Sequence, residues 1–488
     1  MKRLKHPTFK IFSFEELDLD SLYAMHLSLN YTKVMEYDDN DFVSSIIKQV
    51  EGATTVDKIK PVPRKKELIE KYQYFIHLLI TRSFMKGYNS FNSEFLQDIF
   101  GSSYFQMIMT LTHLGYISRS PIYEKGKFAR DITLTNENII CRTKYNSSFK
   151  KYRDKHLSLM LPEQKMKIDR ISKEIGVDFL NQYKRNVRKL RINDEASVRL
   201  FIDNNTATSY YQKQSYHWMI DKYISKDFHI STDNDNRIYS VLTYTHKDLK
   251  NFINIKYQLD ISNSHPLLFS YYIIKKYNIS HSILDLLYNI DINIISFPSS
   301  QYDTNVFRKL LIDNNIKYNQ IDGVKIDPLF YIYLTFHGKF WDLFLNMEIN
   351  KDIPRHIIKE ELFKEVYYSK ILGGRKMKYA SQFKQVFPSV YSLILNYRKE
   401  FRDGKQQHLA HTMMSLESEI FQKVMKKMYA KGYAVINIHD ALVVLDTEEN
   451  IHLFPNEVEE IIKEEYLKYN LYSTCKVDYF QLNKYMNL

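Results

Sequence analysis

Three short stretches combine residue types able to handle charged groups. In the first, Tyr257 to Leu268, an apolar run ends at Asp260, polar residues follow, and Pro266 opens a second apolar run. A carboxylate at a strand end, just before such a turn, can hold a divalent cation over the sheet edge. It can equally cap the helix that follows. In the second stretch Asp352 and Pro354 mark a helix start, and Arg355, Lys359, Phe363 and Tyr367 then recur every fourth residue. Each step of four advances about 40° around a helix, so the four share a stripe roughly 18 Å long. Two cations followed by two aromatic rings suit a nucleoside triphosphate lying along the helix, phosphates at the cations, sugar and base at the rings. The same order also describes a solvated basic end followed by aromatic core contacts. In the third, Tyr433 to Leu445, apolar runs on both sides of His439-Asp440 confine that pair to a hairpin turn with the carboxylate at its tip.

The elements that must position these residues are legible around them. Gly432 ends a helix whose apolar stripe is Met413, Leu416, Ile420, Val424 and Met428. From about residue 205 onward helix and strand signals alternate, and all three stretches lie there. Ahead of them, a Pro-punctuated basic segment, Lys58 to Lys66, marks a first boundary. A helical pattern runs from Glu67 to Met85, with Ile69, Tyr72, Phe75, Leu78 and Leu79 on one side. Ser93 can cap a short helix stopped by Gly101. Ser102 or Ser103 can cap a second, with the stripe Phe105, Ile108, Leu111, Leu114, closed by Gly115. Residues 116–119 and 128–134 read as a hairpin turning at Glu124 to Lys127. Helix, short helix, helix and basic hairpin outline a winged helix-turn-helix, which serves either to place a helix in a DNA groove or simply to pack. Residues 149–192 are strongly basic, notably Lys184, Arg185 and Arg188. Such a run fits a phosphate-gripping surface or an ordinary solvated helix face.

Composition narrows the class. The chain has 488 residues, enough for two to four domains with buried cores, and a net charge of +12 from 69 Lys+Arg against 57 Asp+Glu. Two cysteines, Cys141 and Cys475, exclude a disulfide scaffold and a Cys-rich structural zinc site. No apolar run approaches the roughly 18 residues of a membrane span, and acidic Asp18 and Asp20 stand where a signal peptide needs apolar residues. Gly (12) and Pro (11) are scarce, which favours long helices, while Tyr (39) and Phe (30) are plentiful. Basic charge mixed with aromatic rings suits a partner with phosphates and flat bases. A+T-rich coding would produce the same bias.

In this order the three stretches resemble the palm and fingers of family A DNA polymerases and the related phage-type single-subunit RNA polymerases. The resemblance covers roughly residues 230–460, about half the chain. Its most specific part is the spacing of Arg355, Lys359 and Tyr367 with Phe363 between them, followed by the His439-Asp440 hairpin and then the Asp260 stretch. It implies a helix-rich α/β (α+β) chain folded as a polymerase right hand, with an antiparallel palm sheet, helical fingers and an N-terminal winged-helix-like domain. The expected division is residues 1–60 as an N-terminal segment, 61–140 as the winged-helix-like domain, 141–229 as a basic, thumb-like helical region, and 230–488 as palm and fingers. The implied activity is template-directed nucleotidyl transfer, with DNA synthesis from deoxynucleoside triphosphates ahead of RNA synthesis because Phe363 matches the DNA branch. Asp260 and Asp440 would hold two Mg²⁺ ions about 4 Å apart. Arg355 and Lys359 would grip the triphosphate, Phe363 and Tyr367 would meet the nucleotide, His439 the primer terminus, and Arg237 the duplex. Lys184, Arg185 and Arg188 would hold the nucleic-acid backbone.

The sequence also departs from the family pattern. His265 stands where a Glu commonly gates against ribose, Asn263 where Gln is usual, Tyr368 where Gly follows the fingers Tyr, and Ala441 where Glu or Ser follows His-Asp. These keep open a non-catalytic, DNA-binding replication initiator on a polymerase scaffold. No proofreading exonuclease is legible, since clustered carboxylates near the front such as Glu15, Glu16, Asp18 and Asp20 lack the rest of the set a second metal pair needs. Expected partners are a DNA primer–template duplex, nucleoside triphosphates and, for the N-terminal region, replication accessory proteins, with no membrane. The expected setting is the cytoplasm of a bacterial host, for a phage or mobile-element enzyme.

Overall fold

A computed structural model describes residues 9–30, 65–86, 89–91, 93–119, 130–135, 139–144, 147–205, 208–291, 304–313, 326–347, 350, 352–369, 377–405 and 407–480. The chain is a helix-rich α/β protein with small antiparallel sheets. It divides into two compact units, residues 1–166 with 194–225 and residues 167–193 with 226–488. The basic region expected at 141–229 is therefore split between the two units.

In the first unit, strand β1 (Phe9–Phe14) pairs antiparallel with a strand at Ile139–Lys144. The helix Lys65–Lys86 buries Leu68, Tyr72, Phe75 and Leu79 completely, the face its 3.6-residue period dictates. Strand β2 (Asn89–Phe91) follows, then the helix Ser93–Phe100, a single turn at Gly101–Ser103, and the helix Tyr104–His113. Gly101 and Gly115 take φ of +74° at the two helix ends, a conformation that favours residues without a Cβ. Strands β3 (Ile117–Arg119) and β4 (Arg130–Leu134) pair antiparallel with Ile117 opposite Leu134, and β2 joins on the other side of β4. The turn expected at Glu124 to Lys127 and most of the Lys58 to Lys66 segment lie outside the described residues.

The second unit is built on one antiparallel sheet. With the Ile139–Lys144 strand of the first unit numbered β5, a separate short pair here, β6 (Ser231–Thr232) and β7 (Ile238–Tyr239), leads into β8 (Ile255–Ile261) of the main sheet. Strands β9 (Val435–Ile438), β10 (Ala441–Leu445) and β11 (Cys475–Tyr479) complete the sheet in the order β11-β8-β10-β9. Every residue of β9 and β10 is buried. This explains their unbroken apolar runs, because a strand covered on both faces shows no alternation. The helix Leu409–Ala430 buries the whole expected stripe from Met413 to Met428. Beside it pack the helices Ser264–Tyr277 and Pro388–Arg402. Among the described residues no helix is long and apolar enough to cross a membrane.

Candidate active site

The two predicted carboxylates meet at one end of the sheet. Asp260 is the penultimate residue of β8, opposite Ala441 on β10 and Lys476 on β11. Asp440 lies in the two-residue turn between β9 and β10, where His439 takes a φ of +52° that the tight reversal requires. The Ile261 amide donates to the Asp440 carbonyl at 3.1 Å, so the turn is fastened to the strand that carries Asp260. The turn after Asp260 is packed closely from behind. A Cβ at Gly338, which has a φ of +69°, would come within 2.8 Å of Thr474 Oγ1 and 3.0 Å of Ser262 Cβ.

Both carboxyls are displaced toward protonation. Burial raises Asp260, and the charges of Asp440 and Asp478 add to it, against a 2.8 Å hydrogen bond from Gln258 Nε2. Burial also raises Asp440, to about 7, with the Glu417 charge in the same direction and Lys359 and Arg237 opposing. Both acids are half-buried, and the nearby positive charges, Lys250 for Asp260 and Lys359 and Arg237 for Asp440, do not offset the shift. Among the described residues, no group of three or more His, Cys, Asp or Glu side chains is arranged to hold a metal. Magnesium needs less than that, since it keeps several waters and takes one or two carboxylates plus substrate phosphates. The oxygen donors of Asp260 and Asp440 fit it.

A third carboxylate stands behind the pair. Glu417, on the helix Leu409–Ala430, is 1% exposed, accepts Ser264 Oγ at 2.7 Å and pairs with Arg237 Nη2. Arg237 Nη2 also donates to His265 Nε2 at 3.2 Å, and His265 Nδ1 lies 2.6 Å from the Tyr368 hydroxyl. Burial lowers His265 to about 3, aided by the charges of Arg237 and Lys359. The expected duplex contact Arg237 is thus turned inward, its side chain 11% exposed, and holds Glu417 and His265.

The helix expected over Arg355 to Tyr367 begins at Arg355 with Pro354 as its N-cap. Arg355 is exposed and 3.8 Å from Asp342. Lys359 is also exposed, its ammonium 5.7 Å from the Trp341 ring and 5.9 Å from that of Phe363, and its charge reaches Asp440. The four-residue stripe then breaks. Residues Phe363–Tyr367 form a π turn, in which the Tyr368 amide donates to the Phe363 carbonyl at 2.8 Å. The wider turn moves the register by one residue. Tyr368, rather than Tyr367, stacks on Phe363, with centroids 5.3 Å apart. Tyr367 is 1% exposed, packed against Phe269 and Phe383, with its hydroxyl 2.7 Å from that of Tyr331. Of the aromatic pair, Phe363 faces His265 at 5.6 Å, and Tyr367 belongs to the core. Arg398 donates to the Glu365 carbonyl at 2.8 Å and to that of Val366, holding the π turn.

His439 is held edge-on to Tyr239 at 5.5 Å, and burial beside Arg237 lowers it to about 4. Lys184, Arg185 and Arg188 lie on the helix Val177–Lys189, whose opposite face is buried and whose Asn186 donates to the Val435 carbonyl at 3.2 Å. Arg185 and Arg188 are exposed and Lys184 half-buried, outside the carboxylate cluster.

No family model and no curated protein matches the sequence. Among solved structures, the chain is similar to the POL domain of Pol1 from M. smegmatis in complex with DNA primer-template and dNTP. The identity is 12% and the TM-score 0.21, over 58% of this chain and 55% of that one, so the chain spans about half of its length. A score that low does not establish a shared fold, and the chemistry of the site rests on the residues themselves.

Sequence reasoning passed over Glu417, Tyr368 and Ser264 as site residues. Glu417 had a readable signal, a charge set between Met413 and Ile420 on the side of the helix that carries the apolar stripe. Tyr368 had none, because a π turn leaves no mark in residue spacing.

Proposed function

We propose that the protein is a template-directed nucleotidyltransferase, a DNA-directed DNA polymerase of the family A type that extends a primer on a DNA template without a proofreading exonuclease. The observation that carries this is the pairing of Asp260 and Asp440 at one sheet end, with the Lys359 charge close enough to act on Asp440. Half-buried acids raised toward protonation, with the charge of exposed Lys359 reaching Asp440, suit a polyanionic substrate that arrives with metal.

Asp260 and Asp440 would hold a pair of Mg²⁺ ions. When bound, the pair lowers the pKa of the primer 3′-hydroxyl and neutralises charge on the leaving pyrophosphate. Lys359 and Arg355, both exposed and one helical turn apart, bind the triphosphate and orient it in line with the primer end. The Phe363 ring lies against the nucleotide. His439, neutral at pH 7, gives the primer terminus an uncharged hydrogen-bonding edge. Burial raises Glu417, and its pairing with Arg237 and the Ser264 hydroxyl opposes that rise, so Arg237 compensates the carboxylate behind the metal-binding pair. Catalysis is then positioning and electrostatics, with no covalent intermediate on the protein.

In the first unit, the helix Tyr104–His113 and strands β3 and β4 would serve as the winged-helix module resting on duplex, with replication accessory proteins as further partners of that unit. Arg185 and Arg188 would track the backbone of the bound duplex. A primed template offered with dNTPs or rNTPs and Mg²⁺ tests the proposal. Extension with dNTPs is expected. Extension with rNTPs only, or transcripts made without a primer, would contradict the DNA assignment.

A further inference from the structure

We infer that Tyr368 is the tyrosine that contacts the incoming nucleotide, and that it does so as a hydrogen-bond donor whose proton is kept available by the tautomer of His265. This rests on the polymerase reading and assigns a further residue to the same site.

Two observations lead there. The first is steric. The π turn at Phe363–Tyr367 carries Tyr368 onto the ring of Phe363 and turns Tyr367 into the core against Phe269, Phe383 and Tyr331. A substrate reaching the Lys359–Phe363 face therefore meets Tyr368. The charges of Arg237, Glu417 and Asp440 all act on that phenol, which places it within the cluster.

The second observation concerns protons. Arginine has donors only, so the contact from Arg237 Nη2 to His265 Nε2, 3.2 Å, requires a lone pair on Nε2. Glu417 Oε1, 3.6 Å from the same nitrogen, is beyond hydrogen-bond reach and does not reverse this. A neutral imidazole with a bare Nε2 carries its proton on Nδ1. Nδ1–H then donates to the Tyr368 oxygen at 2.6 Å. Tyr368 is an acceptor in that bond, and its own O–H remains to donate. Among the described residues it meets no other acceptor. The relay Glu417, Arg237, His265, Tyr368 thus runs from a buried carboxylate to a half-buried donor, and its ligand is an acceptor oxygen of the nucleotide, on the sugar or on a phosphate.

The experiment compares Tyr368→Phe with Tyr367→Phe in primer extension, with melting curves to verify folding. Tyr368→Phe keeps the stacked ring and removes the hydroxyl, which is both the donor to the nucleotide and the acceptor of His265 Nδ1–H. Its KM for dNTP is expected to rise about tenfold at little-changed kcat, the loss of one hydrogen bond to substrate, whereas Tyr367→Phe leaves both constants near wild type. Incorporation of dideoxynucleotides identifies the acceptor. A Tyr368→Phe penalty that vanishes without the 3′-hydroxyl assigns that hydroxyl oxygen, and one that persists assigns the sugar ring oxygen or a phosphate. In parallel, ¹⁵N NMR of His265 should show Nδ1 protonated and Nε2 bare, whether or not the enzyme turns over. An extending wild type whose KM is unchanged by Tyr368→Phe, or an Nε2-protonated His265, overturns the inference and leaves the polymerase reading standing. A wild-type chain that neither extends primers nor binds dNTP on primer–template overturns both.

Discussion

The backbone amide that follows Asp260 donates to the carbonyl of Asp440 at 3.1 Å. That single bond ties together two stretches far apart in the chain and sets the two acids at neighbouring strand ends, in a sheet whose β9 and β10 are buried throughout. Their spacing is thus a property of the sheet register, and side-chain changes at either position should leave it intact. Chemistry and fold can therefore be perturbed separately at this site.

Asp440 makes stability depend on pH in an unusual direction. Its folded value lies near 7, above the ordinary carboxylate range, so the folded chain binds more protons than the unfolded chain between about pH 4 and 7. Stability contributed by this group therefore falls as pH rises through that window. Asp440→Asn should melt above wild type at pH 8, with the difference closing by about pH 4. Added Mg²⁺ should raise the wild-type melting temperature at pH 8 and do little for the variant. Thermal melts at the two pH values check both points.

Glu417→Gln leaves the Arg237 guanidinium buried without its counter-charge. Breaking a buried pair from one side costs about 3 kcal/mol. The same change removes the second-largest cause raising Asp440, so the pH window of the Asp440 effect should shift downward. Denaturant titrations at several pH values would register both effects, and a stability loss without the shift would separate Glu417 electrostatically from Asp440.

Lys359→Ala should raise KM for the nucleotide roughly tenfold or more, the scale of a charge-assisted phosphate contact, and raise Asp440 further by removing an opposing charge. Arg355→Ala should cost less, since Arg355 already has Asp342 at 3.8 Å and is not among the charges acting on Asp440. Steady-state kinetics of the two variants rank them directly.

Arg185 and Arg188 project from a helix whose other face is buried. Replacing both with Gln should weaken duplex binding alike on any sequence and reduce the slope of log K against log salt by about one for each phosphate no longer neutralised. An unchanged slope would make this a solvated helix face with no bound backbone.

Sequence patterns and structure coincide where periodicity and burial agree. The stripe from Met413 to Met428, the apolar runs on each side of His439-Asp440 and the strand ending at Asp260 are all where their patterns put them. They diverge where geometry changes without a change in residue type. The π turn moves Tyr368 into the place that spacing gives to Tyr367, and Arg237, expected to face the duplex, turns inward because Glu417 supplies a buried charge that requires it. The +12 net charge gives no location for the site, because it is a sum over the whole chain, whereas the charges of Lys359 and Arg237 reach Asp440 through position.

The most direct test is Mg²⁺-dependent primer extension by wild type, Asp260→Asn and Asp440→Asn, beside duplex binding and melting of the same proteins. Wild type should extend the primer, and each variant should lose extension by at least about a thousandfold while still folding and binding duplex. Variants that extend at wild-type rates would show that the carboxylate pair does not carry the chemistry.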